Sequence, residues 1–172
     1  MMRKKEFLII TVIIVVILAV IIIMSINNDN TNNEIIKHPM EYEYSFTIDK
    51  SLELNSSNLS DTAHATVKLY DSDDKDYYLY LNIENNEFID KDATIILTIT
   101  DPIGELITNI DNLTYNESLN GFDITNCIGN YELVSDYLIN SNTTQEWEFS
   151  VRLINAEDVT ENFKASIEFS DK

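Results

Sequence analysis

Twenty consecutive uncharged residues, Phe7–Ile26, constrain this chain most, because nearly all of them are Ile, Val, Leu, Phe or Met. A helix of this length rises about 30 Å, which matches the hydrocarbon core of a bilayer. In lipid, a single span satisfies its backbone hydrogen bonds only as a helix. The run therefore predicts one N-terminal transmembrane helix.

The charges around the run predict its orientation. Arg3, Lys4 and Lys5 precede it, and no Lys or Arg occurs from Asn27 to Glu34. The positive-inside rule then places residues 1–6 in the cytoplasm and residues 27–172 outside the cell membrane. The Asn-rich residues 27–40 are interpreted as a stalk, and residues 41–172 as one extracellular domain.

A cleaved signal peptide is the alternative interpretation of the run. Such peptides usually have an apolar core of about 7–15 residues that ends in a small-residue cleavage site. Here the apolar core is longer, and the segment Met24–Asn27 contains no site of that type. These features favour a retained anchor over a cleaved signal, and over a buried helix of a soluble fold.

Charge and cysteine content limit the classes of partner. The formal net charge is −19, which argues against nucleic acid and anionic lipid head groups and leaves cationic partners possible. Cys127 is the single cysteine, so no internal disulfide can form and the domain must be stabilised by its core. Abundant Asn, Ile, Asp and Lys, with three Gly and two Pro, are typical of a bacterial protein from an AT-rich genome.

Beyond the stalk, apolar and polar residues alternate with a period of two, which is typical of antiparallel strands that cover a core. The clearest alternation occurs in Thr62–Tyr70, Tyr77–Glu84, Gln145–Ile154 and Phe163–Phe169. Less regular strands are predicted at Tyr42–Ile48, Ala93–Thr100, Glu105–Ile110, Phe122–Thr125, Tyr131–Val134 and Tyr137–Asn140.

Turn-forming residues separate these segments, and Ala156–Asn162 has room for one helical turn. Within Ala93–Thr100, the adjacent Ile95, Ile96 and Leu97 predict a strand that is covered on both faces. Trp147 alternates with core positions and is predicted to be buried. The fold prediction is an all-β antiparallel β-sandwich, immunoglobulin-like or jelly-roll, behind the transmembrane helix.

The strongest candidate for a metal site is the loop between two predicted strands, which carries Asp71, Asp73, Asp74 and Asp76. Calcium prefers several oxygen ligands, and closely spaced carboxylates can supply them. The EF-hand pattern fails, because Lys75 and Asp76 occupy the positions that need an oxygen ligand and Gly. Calcium is thus a possible ligand rather than an expected cofactor, and a solvated acidic hairpin is the alternative.

Three tyrosines are the candidates for ligand binding. Tyr78 and Tyr80 fall on the polar face of one predicted strand, and Tyr70 ends the preceding one. An exposed aromatic strip could stack on a glycan or anchor a protein partner. The competing interpretation is that tyrosine simply suits half-buried strand positions.

Catalytic patterns are weak. The two histidines are His38, in the stalk, and His64, on the polar face of a strand, and no established hydrolase, phosphate-loop or dithiol motif occurs. A pair of Cys127 with His64 is conceivable as a thiol nucleophile and base. We therefore predict a protein that is not an enzyme, and an envelope hydrolase is the least favoured function.

The C-terminal part of the chain carries a resemblance. The segments Phe122–Thr125, Gly129–Tyr131, Thr143–Val151 and Phe163–Phe169 resemble single-span β-sandwich surface proteins of Firmicutes and related bacteria. More distantly, the plan is similar to the camelysin and TasA-like matrix proteins, although this chain has no Gly-rich start. The resemblance implies a surface-exposed sandwich and brings no catalytic residues.

Taken with the anchor, these features predict a cell-surface protein for adhesion or for envelope and matrix organisation. The alternative is an extracellular module that binds calcium or a glycan.

Overall fold

The computed structural model describes residues 43–156 and 158–171. The predicted tail, membrane helix and stalk fall within residues 1–42 and lie outside the described residues. Every regular element in the described part of the chain is a strand, and no helix there is long and apolar enough to cross a membrane. The all-β prediction is confirmed for this part of the chain.

Ten antiparallel strands form two sheets, which is consistent with a β-sandwich. The strands are β1 (Tyr44–Ile48), β2 (Leu52–Leu54), β3 (Ser60–Leu69), β4 (Lys75–Asn86), β5 (Thr94–Thr100), β6 (Thr114–Asn116), β7 (Gly121–Asp123), β8 (Gly129–Ile139), β9 (Thr144–Ile154) and β10 (Phe163–Ser170). The six-stranded sheet has the order β1-β3-β9-β5-β7-β6, and the four-stranded sheet has the order β2-β10-β4-β8.

The period-two pattern explains which faces are buried. In β3, Ala63, Ala65, Val67 and Leu69 are all completely buried, while the residues between them are more exposed. The apolar sides of β4, β9 and β10 bury the equivalent residues, and the apolar side chains of both sheets join one hydrophobic core. Removal of this apolar surface from water is the main stabilising contribution to such a fold.

The centre of the core contains a hydrogen-bonded link between the two sheets. The Trp147 indole Nε1 of β9 donates to the Tyr77 hydroxyl of β4 at 2.7 Å, and that hydroxyl donates to Gln145 Oε1 at 2.7 Å. Trp147 is only 1% exposed, so its predicted burial is confirmed. The indole N–H and the tyrosine hydroxyl are therefore both hydrogen-bonded inside the core, which avoids the cost of an unsatisfied buried donor.

Strand β5 is covered on both faces, as predicted. Ile95 and Leu97 face the main core, and Ile96 faces the opposite side, yet all three are fully buried. The turn at residues 117–120 covers this second side, where Arg152 donates to the Leu119 carbonyl.

Gly121 follows that turn and allows its close approach to β5. A Cβ atom on Gly121 would lie 2.5 Å from Ile96 Cγ2 and 2.6 Å from the Leu97 carbonyl oxygen. We expect Gly121→Ala to lower the free energy of unfolding by about 1–3 kcal/mol, because overpacking forces backbone to move. Chemical denaturation measures this change, and Gly104→Ala, where a Cβ meets no atom within 4 Å but φ is +87°, gives for comparison the cost of backbone strain without a clash. Equal stability of Gly121→Ala and the native chain would contradict the packing described.

The predicted strand Glu105–Ile110 is wrong. Only Leu106 bridges to Thr100, and residues 107–110 form an irregular segment beside the sheet. Asp101 is the physical reason, because its Oδ1 accepts hydrogen bonds from the backbone N–H groups of Ile103 and Glu105 and closes a tight turn.

Strand β8 is continuous, although the sequence predicts two separate strands there, Tyr131–Val134 and Tyr137–Asn140. The apparent break is a pair of irregularities in the β4–β8 register, which shift the in-out pattern without ending the strand. Asp136 lies there with φ 49°, a left-handed conformation that Asp tolerates better than most residues.

Other differences are smaller. The three-residue strands β2 and β6 were not predicted, since a segment that short shows no periodicity. The described residues within Ala156–Asn162 form no helical turn.

Candidate functional site

The aspartate-rich loop is organised around one lysine. Lys75 Nζ lies 3.2 Å from Asp71 and also pairs with Glu43 of the segment before β1. Asp71 Oδ1 accepts from the backbone N–H groups of Ser72 and Asp73. The hydrogen bond from Lys75 and these N–H groups lower the pKa of Asp71 to about 2.

Two other residues of this loop bond to different parts of the domain, Asp74 through its side chain and Asp76 through its backbone carbonyl. Asp74 Oδ1 accepts from the Ser141 backbone N–H at 2.8 Å, and the Asp76 carbonyl accepts from the Tyr44 hydroxyl at 2.8 Å. Among residues 43–156 and 158–171, no three His, Cys, Asp or Glu side chains are grouped so that they could hold a metal ion. The predicted calcium ligands Asp71, Asp73, Asp74 and Asp76 are therefore not arranged around one point where an ion could bind. The loop connects β3 to β4.

The three candidate tyrosines do not form one strip. Tyr78 and Tyr80 lie on the outer face of the four-stranded sheet, whereas Tyr70 follows β3 of the six-stranded sheet. Tyr70 is 55% exposed, and Lys68 Nζ lies 4.6 Å from the centre of its ring. The aromatic strip predicted from the sequence is therefore reduced to Tyr78 and Tyr80.

Tyr78 is tied to the irregular part of β8. Its hydroxyl donates to Oδ1 of Asp136, which is the residue of β8 with a left-handed backbone conformation. This hydrogen bond to the neutral phenol raises the pKa of Tyr78 to about 12.

This bond predicts a specific alkaline transition. Because the folded pKa of Tyr78 is raised above its ordinary value of 10, its contribution to stability is complete below pH 10 and is lost as pH rises through about 12. We expect the stability difference between the native chain and Tyr78→Phe to be constant from pH 6 to 9 and to shrink between pH 10 and 12. Tyrosinate absorbance titration of both proteins locates the transition, and Asp136→Asn should move it to lower pH. An unchanged midpoint in Asp136→Asn would show that this carboxylate does not hold Tyr78.

Carboxylates surround the two tyrosines. Tyr80 is in register with Glu168 of β10 on one side and Glu132 of β8 on the other. Asn82 Nδ2 donates to Glu168 Oε1 at 3.0 Å. The outer face of the four-stranded sheet is thus an aromatic and acidic surface.

The basic side chains of the described residues have partners other than the carboxylates nearest to Tyr78 and Tyr80. Ion pairs join the following residues: Lys50 to Asp61, Lys75 to Glu43 and Asp71, Lys91 to Glu161, and Lys164 to Glu84. Lys68 contacts Tyr70, and Arg152 donates to the Leu119 carbonyl. None of the ion pairs in the described part of the chain includes Glu132, Asp136 or Glu168, so these three carboxylates near the tyrosines are not neutralised by an ion pair.

A groove of about 260 Å³ adjoins the same face at its β8 edge. One wall is the segment 107–111 and the other is residues 132–135 of β8. Glu132 belongs to both features, because it neighbours Tyr80 on the sheet and also lines the groove.

The structure separates the residues of the conceivable thiol–imidazole pair. Cys127 lies half-buried between β7 and β8, where burial raises the pKa of its thiol, and Tyr131 is its hydrogen-bonding neighbour. His64 lies on the exposed side of β3, opposite Glu148, with its backbone N–H donated to Asp49. The two residues have no neighbour in common among these contacts.

No protein-family model matches the chain, and a search of curated proteins finds no match. The resemblance to surface and matrix proteins therefore stays a prediction.

The groove is the feature that sequence reasoning missed. Its walls come from residues about 25 positions apart in the chain, and the segment that forms one wall was predicted as a strand. The available signal was Asp101-Pro102-Ile103-Gly104, which has the residues of a β-turn at the start of this segment.

Proposed function

We propose that this is a membrane-anchored, non-enzymatic protein of the bacterial cell surface, where its β-sandwich serves in adhesion or in envelope and matrix organisation. The observation that carries the proposal is the Phe7–Ile26 run, placed ahead of an all-β domain with a continuous hydrophobic core. The run supports attachment to a membrane, and the core supports a domain that needs no disulfide.

The surface of the sandwich supports presentation to other molecules. Its Tyr78 and Tyr80 lie among carboxylates that have no internal counter-ion in the described ion pairs. Such a surface is repelled by anionic head groups and attracts basic partners. This supports an interaction role outside the membrane plane.

We also propose that the sandwich is of the jelly-roll type. From β2 to β5, successive strands alternate between the two sheets, and the same alternation holds for β8, β9 and β10. In an immunoglobulin-like sandwich, several hairpins stay within one sheet. Alternation of this kind supports two wrapped sheets rather than paired hairpins.

Membrane attachment is tested by washing isolated membranes with high salt and then with alkaline carbonate. An integral anchor should leave the full-length chain in the pellet after both washes, because a buried apolar helix does not dissolve in water. Release by either wash, or recovery of a chain shortened by the length of the run, would contradict the proposal.

The second candidate function is ligand binding, and the paired Tyr78 and Tyr80 on an accessible sheet face favour a glycan. Calorimetry with a glycan panel, and with calcium for the loop Asp71–Asp76, distinguishes the candidates. Heat and a thermal shift that disappear in a Tyr78→Ala and Tyr80→Ala double variant would establish the glycan reading. No heat with any of the ligands would count against it.

A further inference from the structure

Strand β1 forms one edge of the six-stranded sheet, and this edge is regular and uncharged. The strand pairs with β3 in an unbroken antiparallel register over all five of its residues. The rings of Tyr44 and Phe46 lie 5.3 Å and 5.4 Å from the ring of Phe169 in β10, which fixes the strand on the core. Exposed edge strands usually carry a charge, a proline or a bulge that blocks pairing with another chain. None of these features occurs in β1.

The other edges of the two described sheets are less suited to further pairing. Strands β2 and β6 end their sheets with only three residues each. Strand β8 is longer, but its register with β4 shifts twice, and Asp136 within it has a left-handed backbone. Short or irregular edges of this kind disfavour the addition of a regular strand. Within the described domain, β1 is therefore the edge that best accepts one.

The backbone of β1 directs a defined set of groups to the open side. The Tyr70 N–H donates to the Glu43 carbonyl at 2.7 Å, so the backbone of residue 43 faces β3. At the other end, the Asp49 N–H donates to the His64 carbonyl at 3.1 Å. Hydrogen-bonding groups alternate in direction along a strand, so every second residue faces away from β3. The residues whose N–H and C=O groups face the open side are Tyr44, Phe46 and Ile48.

The side chains of β1 also leave apolar surface uncovered. Tyr44, Phe46 and Ile48 pack against the core but are only half-buried. In β3, which has a neighbouring strand on each side, Ala65 and Val67 are completely buried. A strand added beside β1 would therefore remove apolar surface from water in addition to pairing the backbone.

The open edge is complementary to itself. Because the three outward-facing residues are centred on Phe46, a second β1 can pair antiparallel with the two Phe46 residues opposite each other. Tyr44 of each copy then lies opposite Ile48 of the other. All of these are hydrogen-bonded pairs, so about six backbone hydrogen bonds form around one two-fold axis. A symmetric register of this kind is available only to an identical strand.

The charges favour contact at this strand. Two copies of a chain with a formal net charge of −19 repel each other, and β1 is a stretch without charged side chains. Just beyond the strand, Glu43 of one copy would face Asp49 of the other. Glu43 is paired with Lys75, and the Asp49 carboxylate accepts from the His64 N–H, so both charges are partly compensated within each copy.

We propose that two copies of this chain pair through β1, antiparallel and with Phe46 at the two-fold axis, so that their six-stranded sheets join into one continuous sheet. The inference gives the proposed adhesion role a partner, which is a second copy of the chain. It rests on that role only for where the copies meet, because the edge itself does not depend on the anchor.

The test is disulfide formation between copies of the full-length chain, purified in detergent and carrying Cys127→Ala. In the proposed register, Ser45 of one copy and Thr47 of the other form a non-hydrogen-bonded pair with Cα atoms about 4.5 Å apart, which allows a disulfide. We expect oxidation of a mixture of Ser45→Cys and Thr47→Cys, one with a longer affinity tag, to give mainly the mixed dimer. Each variant alone should cross-link much less, because identical residues are offset diagonally by about 7–8 Å.

Two kinds of control accompany the mixture. Ser45→Cys mixed with Thr114→Cys, an exposed position on the β6 edge, measures cross-linking by random collision. Ile48→Pro, added to both partners, removes an N–H that faces the other copy and keeps the hydrogen bonds to β3, as edge strands allow. It should lower the yield of mixed dimer by roughly tenfold relative to Ile48→Ala, because each pair loses two hydrogen bonds. Thermal unfolding of both variants verifies that they fold.

Equal cross-linking in the Ser45→Cys and Thr47→Cys mixture, in the single variants and in the Thr114→Cys control would overturn the proposal. Absence of the mixed dimer would overturn it too, and would mean that another segment of the chain or a different protein occupies the edge. Equal yields from folded Ile48→Pro and Ile48→Ala would also contradict it, and the cross-linking pattern is decisive even if Ile48→Pro does not fold. Because the assay uses purified protein in detergent, its failure leaves the membrane wash result unaffected, and the reverse also holds.

Discussion

Replacing Trp147 with alanine should lower the free energy of unfolding by about 3–5 kcal/mol, the usual range for removing a buried aromatic side chain. Trp147 is 1% exposed, and its ring lies 4.8 Å from that of Tyr137 and 6.2 Å from that of Phe149. Its loss also leaves the buried Tyr77 hydroxyl without the Nε1 donor. A domain at the low end of the usual stability range of about 5–15 kcal/mol would then be close to unfolding at ambient temperature.

Thermal unfolding followed by circular dichroism measures this effect, since Trp147 is the only tryptophan and its fluorescence disappears with it. Two companion variants separate volume from hydrogen bonding. Trp147→Phe keeps an aromatic ring, and Tyr77→Phe keeps the ring while removing the acceptor of the indole N–H. Each should cost less than Trp147→Ala, and Tyr77→Phe should cost about 1–3 kcal/mol because a buried donor loses its partner.

The link can also be measured as a coupling energy. If Trp147 and Tyr77 act as a unit, the double variant Trp147→Phe with Tyr77→Phe should lose less stability than the sum of the two single variants. Strict additivity, or a loss below 1 kcal/mol for Trp147→Ala, would contradict the account of the core.

The second large effect concerns the apolar run. Replacing Val15 and Leu18 with lysine should abolish retention in washed membranes, because each lysine at the centre of a span costs about 2.5–3.5 kcal/mol on insertion scales. The combined cost removes most of the advantage of burying this segment in lipid. Quantitative immunoblotting of pellet and supernatant after an alkaline wash measures the shift.

The matched control adds the same two charges elsewhere. Ser56→Lys with Ser57→Lys places them in the exposed connection between β2 and β3, and this variant should stay in the pellet like the native chain. If Val15→Lys with Leu18→Lys also stayed in the pellet, the run would not be the element that attaches the protein to the membrane.

The sequence predicted the strands that bury one face. In β3, β4, β9 and β10, apolar residues alternate without interruption, so the period alone identifies strand and buried side. The same pattern did not identify β8 as one strand, because a register shift breaks the alternation there and leaves the adjacent Leu133 and Val134 both buried. Such a shift depends on pairing with β4 and has no local signature.

The candidate site was predictable only in part. The turn chemistry around Asp71 was visible, but the choice of Lys75 and Ser141 as partners, rather than a metal ion, depends on tertiary contacts. The outward position of Tyr78 and Tyr80 followed from alternation, whereas their separation from Tyr70 depends on which sheet each strand joins. Strand order between sheets is set by the whole chain, so a local pattern does not contain it.

The central claim, that residues 1–6 lie in the cytoplasm and residues 27–172 outside, is tested most directly by cysteine labelling of intact cells. Cys127→Ala removes the only native thiol, and Lys4→Cys or Ser56→Cys then supplies one reporter on each side. A membrane-impermeant maleimide should label Ser56→Cys in intact cells, and should label Lys4→Cys only after permeabilisation and on a full-length chain. Labelling of Lys4→Cys in intact cells, or protection of Ser56→Cys until the cells are opened, would contradict the proposed topology.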